Sequence, residues 1–137
     1  MISAAASMGM VMLWNIDEGL NQIDAFMHHS EAYVRAGAML GIGVMSSGIR
    51  NETDAAMALL SEQLEDKNAQ IRISSECGLG IAYAGAQREE LEELLTPIVA
   101  NTEDANIVEV SFAALSLGLS FVGTCNDEIA SVLVQRL

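Results

Sequence analysis

The sequence predicts an all-α fold, an α-solenoid of stacked helical hairpins. Half of the residues (51%) are hydrophobic but only 4% are aromatic, a balance that favours closely packed helices over a β-sheet. Glycine-rich apolar segments recur at sequence offsets between 34 and 38, which is the period of helical solenoid repeats. Acidic amphipathic segments recur between them at the same spacing. Each repeat therefore reads as two helices, the first amphipathic and the second apolar.

The glycine pattern sets the register of the repeats. The strings GIGVMSSG, GLGIAYAG and LGLSFVG occupy positions 41–48, 78–85 and 117–123. The offset of their glycines is 37 between the first two strings and 38 between the last two. Near the N-terminus, SMGMVMLW takes the equivalent place, because Gly9 precedes Gly43 at an offset of 34. The chain thus holds about three and a half repeats.

The first helices of the repeats are predicted at 17–28, 54–66 and 88–99, because apolar residues recur there at helical spacing. Pro97 is expected to kink or end the third of them. The chain opens inside an earlier second helix that ends at Trp14, which stands where Gly48 stands one repeat later. Trp14 is therefore expected to fill a groove at a repeat junction.

The second helices are predicted at 31–46, 69–84 and 105–122, where the sequence is apolar nearly all round. Such helices are normally buried. Their internal glycines are interpreted as positions of close helix approach, which recovers dispersion contacts. Three further glycines, which precede the polar turns, are expected at the C′ position with positive φ: Gly48, Gly85 and Gly123.

Residues 1–137 are interpreted as a single solenoid segment with repeat junctions near 14–17, 48–53, 85–88 and 123–127. Solenoids usually finish in polar capping repeats, and neither end of this sequence is polar. We therefore expect a piece of a longer array.

Several side chains are assigned to packing. The aromatic residues Tyr33, Tyr83, Phe112 and Phe121 are expected in the core or between the helices of a hairpin. Arg35 and Arg72, which occupy equivalent places in successive repeats, are expected to cover a helix end or to pair with an acid between repeats.

The charge excludes several classes of partner. Six Lys and Arg stand against nineteen Asp and Glu, a formal net charge of -13. Nucleic acids and anionic membranes attract basic surfaces, so neither is an expected partner. A protein with a basic surface would be steered toward this chain.

No cofactor, metal or catalytic site is expected. Cys77 and Cys125 are interpreted as buried free thiols in a reducing compartment, and His28 and His29 are adjacent, so on a helix they point about 100° apart. The sequence lacks a nucleophile elbow and a phosphate-binding loop. The apolar N-terminus has no basic region typical of a secretory signal, and the apolar run 36–49 is too short to span a bilayer. We expect a cytoplasmic and nuclear protein without enzymatic activity.

The strings GAMLGIGVMSSG, GLGIAYAG and LSLGLSFVG, each preceded by an acidic amphipathic helix, resemble the proteasome/cyclosome repeat family. Within that family, AAASMGMVMLWNIDEGLNQID and NETDAAMALLSEQL are similar to a receptor and scaffold subunit of the 26S proteasome regulatory particle. They favour it over its sister scaffold subunit, which stays an alternative, and over the largest subunit of the anaphase-promoting complex.

The resemblance implies a segment of a toroid made of two concentric helix rings, docked on the proteasomal ATPase ring. It also implies partners: ubiquitin and polyubiquitin, the ubiquitin-like domains of shuttle factors, and a proteasome-associated deubiquitinase at a neighbouring site. In this family the receptor surface lies on consecutive first helices. A purely structural segment, which docks on neighbouring repeats or ATPase subunits, is the alternative function.

The polar faces of the three first helices supply the candidate binding residues. On the middle helix, Asp54, Ser61 and Glu65 are expected to form one line, because an α-helix returns to nearly the same angle after two and after three turns. Asp54 and Glu65 are the preferred acids, since the family's key acids lie on this helix, and Ser61 departs from the pattern if an acid belongs there. The full set is Asp17, Asn21, Asp24, Asp54, Ala58, Ser61, Glu62, Glu65, Glu89 and Glu93, with Glu92 and Thr96 beside the last two.

Overall fold

A computed structural model describes residues 2–49, 54–101 and 106–135. Within these ranges the chain forms helices and turns and no β-strand, so the predicted all-α class is confirmed. Most of the predicted junction at 48–53 and the start of the predicted helix at 105–122 lie outside the described residues.

The helices are α1 (Ile2–Val11), α2 (Ile16–Met27), α3 (Ala32–Met45), α4 (Ala55–Ser61), α5 (Ala69–Ala82), α6 (Glu89–Ala100), α7 (Ile107–Ser120) and α8 (Asp127–Val134). A 3-10 turn, Glu62–Glu65, continues α4. None of these helices is long and apolar enough to cross a membrane.

The helices form two layers. Helices α1, α3, α5 and α7 pack side by side as an inner layer, and α2, α4 and α6 lie outside α3, α5 and α7 respectively. Helices α3 and α5 are buried on several sides, as their all-round apolarity predicts. Helix α1 buries only Ala5 and Gly9, and each outer helix buries a single stripe. The common core runs between the layers and includes Ile23, Ile42, Leu60, Leu79 and Leu95, each 0% exposed.

Glycines bring the inner helices into backbone contact. Gly9 lies against Gly41, Gly43 against Gly78, and Gly80 against Ser116. A Cβ built on Gly80 would lie 2.7 Å from the Ser116 Cα. A methyl group does not fit there, which confirms the interpretation of these glycines as positions of close approach.

The turns after the inner helices use positive φ, as predicted. Gly48, Gly85 and Gly123 have φ of 74°, 70° and 77°, and Trp14 has φ 67° at the equivalent place. The Gly85 amide donates to the Leu119 carbonyl of the next inner helix at 2.9 Å. The Trp14 amide likewise donates to the Met45 carbonyl at 3.2 Å. Each of these two turns therefore satisfies a helix-end carbonyl one repeat further on.

Two expectations about packing are wrong, and one of the two alternatives for Pro97 is excluded. Pro97 does not end α6, which continues to Ala100. Tyr33 is 55% exposed, so its ring is not packed in the core or within a hairpin. Trp14 is 69% exposed, so its ring does not fill the expected groove. The Trp14 indole N–H instead donates to the Ser47 carbonyl at 3.1 Å. By contrast, Tyr83 is buried at 7% exposure, as expected.

Both arginine expectations are confirmed. Arg35 donates to the His29 and Ser30 carbonyls in the turn after α2, at 2.8 and 3.2 Å. Arg72 covers the end of the 3-10 turn through the Asp66 carbonyl at 2.8 Å. Arg72 also pairs bidentately with Glu109 of α7, with both N···O distances 2.7 Å. An ion pair therefore joins two adjacent inner helices.

Candidate functional site

The outer layer presents the candidate surface. Helix α2 buries Gly19 and Ile23 and α4 buries Ala56 and Leu60. Helix α6 buries the stripe Leu91, Leu95 and Val99. Partly buried apolar residues of the same helices, such as Leu20, Met57 and Ile98, pack beside these stripes, and the polar positions face solvent. All ten predicted binding residues lie on or next to the outer helices, as their place in the repeat predicts.

On α2 the three candidates are exposed. Asp17 lies in the first turn, where the positive end of the helix dipole stabilises a carboxylate. The Asn21 side-chain amide donates to the Asp17 backbone carbonyl at 2.9 Å. The Asp24 carboxylate lies 3.6 Å from the His28 imidazole and remains 68% exposed. Helix α2 therefore offers two accessible acids on one face.

Asp54 is engaged inside the molecule. It precedes α4 with φ 43°, and one of its carboxylate oxygens accepts a hydrogen bond from the Arg88 guanidinium at 2.6 Å. The other oxygen accepts from the Tyr83 hydroxyl. The pKa of Tyr83 is raised above its usual range, chiefly by burial and secondly by the hydrogen bond to Asp54. Asp54 therefore ties α4 to the turn between α5 and α6, and the Arg88 side chain lies over the Tyr83 ring at 5.5 Å.

The predicted line of Asp54, Ser61 and Glu65 assumed a continuous α-helix, and that assumption is wrong. The α-helix ends at Ser61 and Glu65 lies in the 3-10 turn. A 3-10 turn rotates by about 120° per residue instead of about 100°, so Glu65 points away from the direction that α-helical spacing gives. Ser61 is half-buried, while Ala58, Glu62 and Glu65 are exposed.

Helix α6 carries the densest group of acids. Glu89 and Glu93 are exposed, Glu92 and Thr96 are half-buried, and with Pro97 they line a shallow open groove on the outer face. The Glu90 carboxylate accepts a hydrogen bond from the Arg88 Nε at 3.0 Å, and this hydrogen bond lowers the pKa of Glu90. Glu89 and Glu93 are therefore the free acids at this end of the surface.

A buried carboxyl group escaped the sequence analysis. Glu76 on α5 is 0% exposed, and neither carboxylate oxygen has a hydrogen-bond partner among the described residues. Burial, and secondarily Glu109, raises its pKa to about 8. The signal was present in the repeat register, because Glu76 stands one repeat after Met39, a core residue.

The described residues contain no cluster of acids, histidines and cysteines that could hold a metal ion. Both cysteines are free thiols, as predicted, but the expected burial is wrong for Cys125, which is exposed. Cys77 is half-buried, and burial raises the pKa of its thiol.

Stacked helical hairpins with glycine contacts in the inner layer and acids on the outer layer define a helical-repeat protein. A profile of the proteasome/cyclosome repeat matches residues 3–36. The chain belongs to the proteasome/cyclosome repeat family, which confirms the resemblance read from its sequence.

Several relatives match almost the whole chain, and three of them illustrate the range of organisms. It is 51% identical over 137 residues to the 26S proteasome regulatory subunit rpn1 of Schizosaccharomyces pombe, covering 100% of this chain. It is 43% identical over 136 residues, 99% of the chain, to the 26S proteasome non-ATPase regulatory subunit 2 of Dictyostelium discoideum. The subunit 2 homolog A of Arabidopsis thaliana is 42% identical over 135 residues, 98% of the chain. The chain spans 15% of the length of each of these relatives.

Proposed function

We propose that this chain is a non-catalytic scaffold and receptor segment of the 26S proteasome regulatory particle. It binds ubiquitin and the ubiquitin-like domains of shuttle factors through the outer faces of α2, α4 and α6. The observation that carries the receptor role is the run of exposed acids across three adjacent helices, which ends in Glu89 and Glu93. The names of the relatives, which describe regulatory subunits of the 26S proteasome, support the scaffold role.

The surface suits a ligand that combines an apolar patch with a basic rim, which is how ubiquitin and its relatives are built. The exposed Ala58 offers a small apolar contact, and Glu62 and Glu65 lie at the end of the same helical segment. Such rim charges mainly accelerate association and make it sensitive to salt, while the apolar centre supplies affinity. We therefore expect weak binding that falls as salt increases.

The ion pair of Asp54 distinguishes it from the candidate acids that are free to contact a ligand. Because Arg88 and Tyr83 already occupy both of its oxygens, a ligand must compete for Asp54. Glu65 is free of such contacts among the interactions described, and Glu93 lies exposed on the acidic groove. Glu65 and Glu93 are therefore the acids whose removal tests binding separately from stability.

Titration of the isotopically labelled chain with ubiquitin tests the proposal. We expect the amide signals of 17–28, 54–66 and 88–99 to shift at up to millimolar ubiquitin, while those of α1 stay in place. Monoubiquitin whose apolar patch is disrupted serves as the control ligand and should leave the signals unmoved. An absence of shifts at millimolar ubiquitin and at millimolar ubiquitin-like domain would refute the receptor role.

A purely structural segment is the second candidate, and the engagement of Asp54 favours it. In that case the acids solubilise the outer layer, and the partners are neighbouring repeats or the ATPase ring. The titration separates the two, because a structural segment gives no response to ubiquitin.

The proposal has two further parts, which follow from assembly into the regulatory particle. The protein acts in the cytoplasm and nucleus, and a deubiquitinase is a further partner.

A further inference from the structure

The inner layer carries few charges, and most of them are gathered at one contact. In the described residues of α1, α3, α5 and α7, the charged residue types occur at four positions: Arg35, Arg72, Glu76 and Glu109. The last three interact with one another where α5 packs on α7. One guanidinium and two carboxyl groups therefore share a single contact between adjacent inner helices.

Arg72 joins α5 to α7. Its Nε and Nη2 atoms donate to the two Glu109 carboxylate oxygens, each at 2.7 Å, and its Nη1 atom donates to the Asp66 carbonyl at 2.8 Å. The Arg72 and Glu109 side chains are only 23% and 15% exposed. A bidentate pair that is shielded from water fixes the orientation of both partners, so this pair holds α7 in its place on α5.

Glu76 lies at the same contact, but its carboxyl group has no hydrogen-bond partner among the described residues. It stands four residues after Arg72 in α5, which places both side chains on one face of the helix. Helix α7 passes directly over Glu76, because the Ser116 hydroxyl donates to the Glu76 backbone carbonyl at 2.8 Å. The residue is 0% exposed. Arg72 is the cation that acts on it, and Arg72 is already paired with Glu109.

Within the described ranges, the other elements packed on α5 bring no further charge to Glu76. Helix α3 carries Arg35 alone, which donates to backbone carbonyls in the turn before it, and α4 carries no charge. The neighbouring Cys77 stays neutral, because burial raises the pKa of its thiol. The charged residues between α4 and α5 are exposed or act on Arg72: Glu62, Glu65, Asp66 and Lys67.

The charges at this contact balance only if the two carboxyl groups hold one proton between them, since Arg72 neutralises just one carboxylate. An unpaired charge at a fully buried position is costly, so the proton stays on Glu76 while α7 covers it. Burial accordingly raises the pKa of Glu76 to about 8, with Glu109 as the second cause. When α7 leaves α5, water reaches the carboxyl group and its pKa returns toward the ordinary value of 4.5.

The preceding contact of the inner layer has no such acid. Helix α3 packs on α5 with Met39 at the place that Glu76 takes one repeat later. Met39 is apolar and 2% exposed. Arg35, which stands one repeat before Arg72, is directed to turn carbonyls and not to the adjacent inner helix. The contact between α3 and α5 is therefore a reference without a buried acid in the same molecule.

We propose that the contact between α5 and α7 is a proton-dependent clamp, closed while Glu76 is protonated. On opening, the Glu76 carboxyl group gives its proton to water, and Arg72 turns from Glu109 to the new carboxylate on its own helix. The clamp is tight near pH 4.5 and loosens as pH rises toward about 8, because the open form binds one proton fewer in this range. The contact between α3 and α5 does not respond, and the acidic outer surface plays no part.

Hydrogen exchange of the backbone amides, followed by NMR between pH 5.5 and 7.5, tests the clamp. Exchange through an opening that leaves all protons in place accelerates about 10-fold per pH unit, from hydroxide catalysis alone. An opening that releases one proton adds a further factor of about 10 per pH unit. We therefore expect the α7 amides to exchange faster than those of α3, and to accelerate about 100-fold per pH unit against about 10-fold for α3.

Variants of the two acids separate the parts of the proposal. Glu76→Gln cannot ionise, so the α7 amides should return to about 10-fold per pH unit. Glu76→Met, which copies Met39 of the preceding repeat, should do the same and covers a failure of the buried amide to fold. Glu109→Gln should also give about 10-fold, because Arg72 then pairs with Glu76 in the closed form and no proton is released. Glu65→Gln, at an exposed acid, is the matched control and should exchange like the wild type.

Three results would overturn the clamp. The first is an α7 that accelerates only about 10-fold per pH unit in the wild type, and the second is a steeper dependence that survives both Glu76 variants. The third is exchange of α3 and α7 at the same rates with the same pH dependence, since the proton would then be released only by global unfolding. A steep dependence that survives Glu109→Gln would overturn the exchange of partners by Arg72.

Discussion

At the residue scale, Glu76 places an acid where the preceding repeat has Met39, a core residue. Its carboxyl group is 0% exposed, close to the Arg72–Glu109 pair yet without a hydrogen bond of its own among the described residues. Because the neutral form avoids the cost of burying an unpaired charge, the folded chain takes up a proton here. The stability of the inner layer therefore depends on pH.

The pH dependence has a definite sign. The pKa of Glu76 rises from 4.5 to about 8 on folding, so between these values the unfolded chain ionises while the folded chain stays protonated. Stability should therefore fall as pH rises through this window, by up to about 5 kcal/mol. Glu76→Met should gain stability over the wild type at pH 8.5 but little near pH 4.5. Urea unfolding at several pH values measures this difference, with the exposed Glu65→Gln as the control.

Asp54 shows how a surface acid can be committed to structure. Its contacts to Arg88 and Tyr83 join α4 to the turn before α6. We expect Asp54→Ala to lower the free energy of unfolding by about 1–2 kcal/mol, because it leaves both partners unpaired. Asp24→Ala, whose carboxylate is 68% exposed, should change it by less than about 0.5 kcal/mol.

A double-mutant cycle with Arg88→Met isolates the ion pair from the backbone strain at Asp54. A coupling energy of about 1 kcal/mol supports the assignment of the ion pair, because the pair is only partly exposed. A coupling indistinguishable from zero would show that Asp54 is free to bind a ligand.

At the element scale, glycines decide how closely the inner helices pack. Gly80 and Gly118 occupy equivalent positions in α5 and α7, but only the first has a neighbour within contact. Gly80→Ala should destabilise the fold by about 1–3 kcal/mol, because overpacking forces the helices apart. Gly118→Ala should stabilise it by about 0.5–1 kcal/mol through helix propensity alone.

Thermal unfolding at low protein concentration measures both variants against each other. Equal effects at the two sites would contradict the close approach of α5 and α7. A stabilising Gly80→Ala would do so more strongly, since its methyl group would then have found room.

The elements themselves were largely predictable from the sequence. The repeat register located seven of the helices within a few residues and gave the positive φ of Gly48, Gly85 and Gly123. The 3-10 turn at Glu62–Glu65 was not predictable, because the acids there suit either helix type. The end of α6 at Pro97, one of the two predicted alternatives, was wrong. The Pro97 side chain is exposed on the outer face, where the loss of a helical hydrogen bond is tolerated.

The site was less predictable than the fold. Helical periodicity correctly assigned the candidates to the outer layer, since burial follows hydrophobic spacing. It could not show that Arg88 and Tyr83 hold Asp54, because residues so far apart in sequence meet only through tertiary packing. Unpaired acids such as Glu93 and paired acids such as Glu90 look alike in a sequence.

At the scale of the whole molecule, charge is divided between the layers. The inner helices carry few charges, and the described acids concentrate on the outer helices and the turns. This arrangement gives a basic ligand one acidic side to approach, and a salt-dependent association rate is expected. The proposed function rests on that asymmetry more than on any single acid.

The most direct test of this account compares the affinity for ubiquitin of two variants with equal charge. Glu65→Gln with Glu93→Gln removes two outer acids, and Ser3→Lys with Ser7→Lys adds two charges to α1. Each pair changes the formal net charge of -13 by +2. We predict that the first pair weakens binding by about 3- to 10-fold and that the second leaves it within about 2-fold. Equal dissociation constants for the two variants, measured at the same salt concentration, would contradict a binding surface on the outer helices.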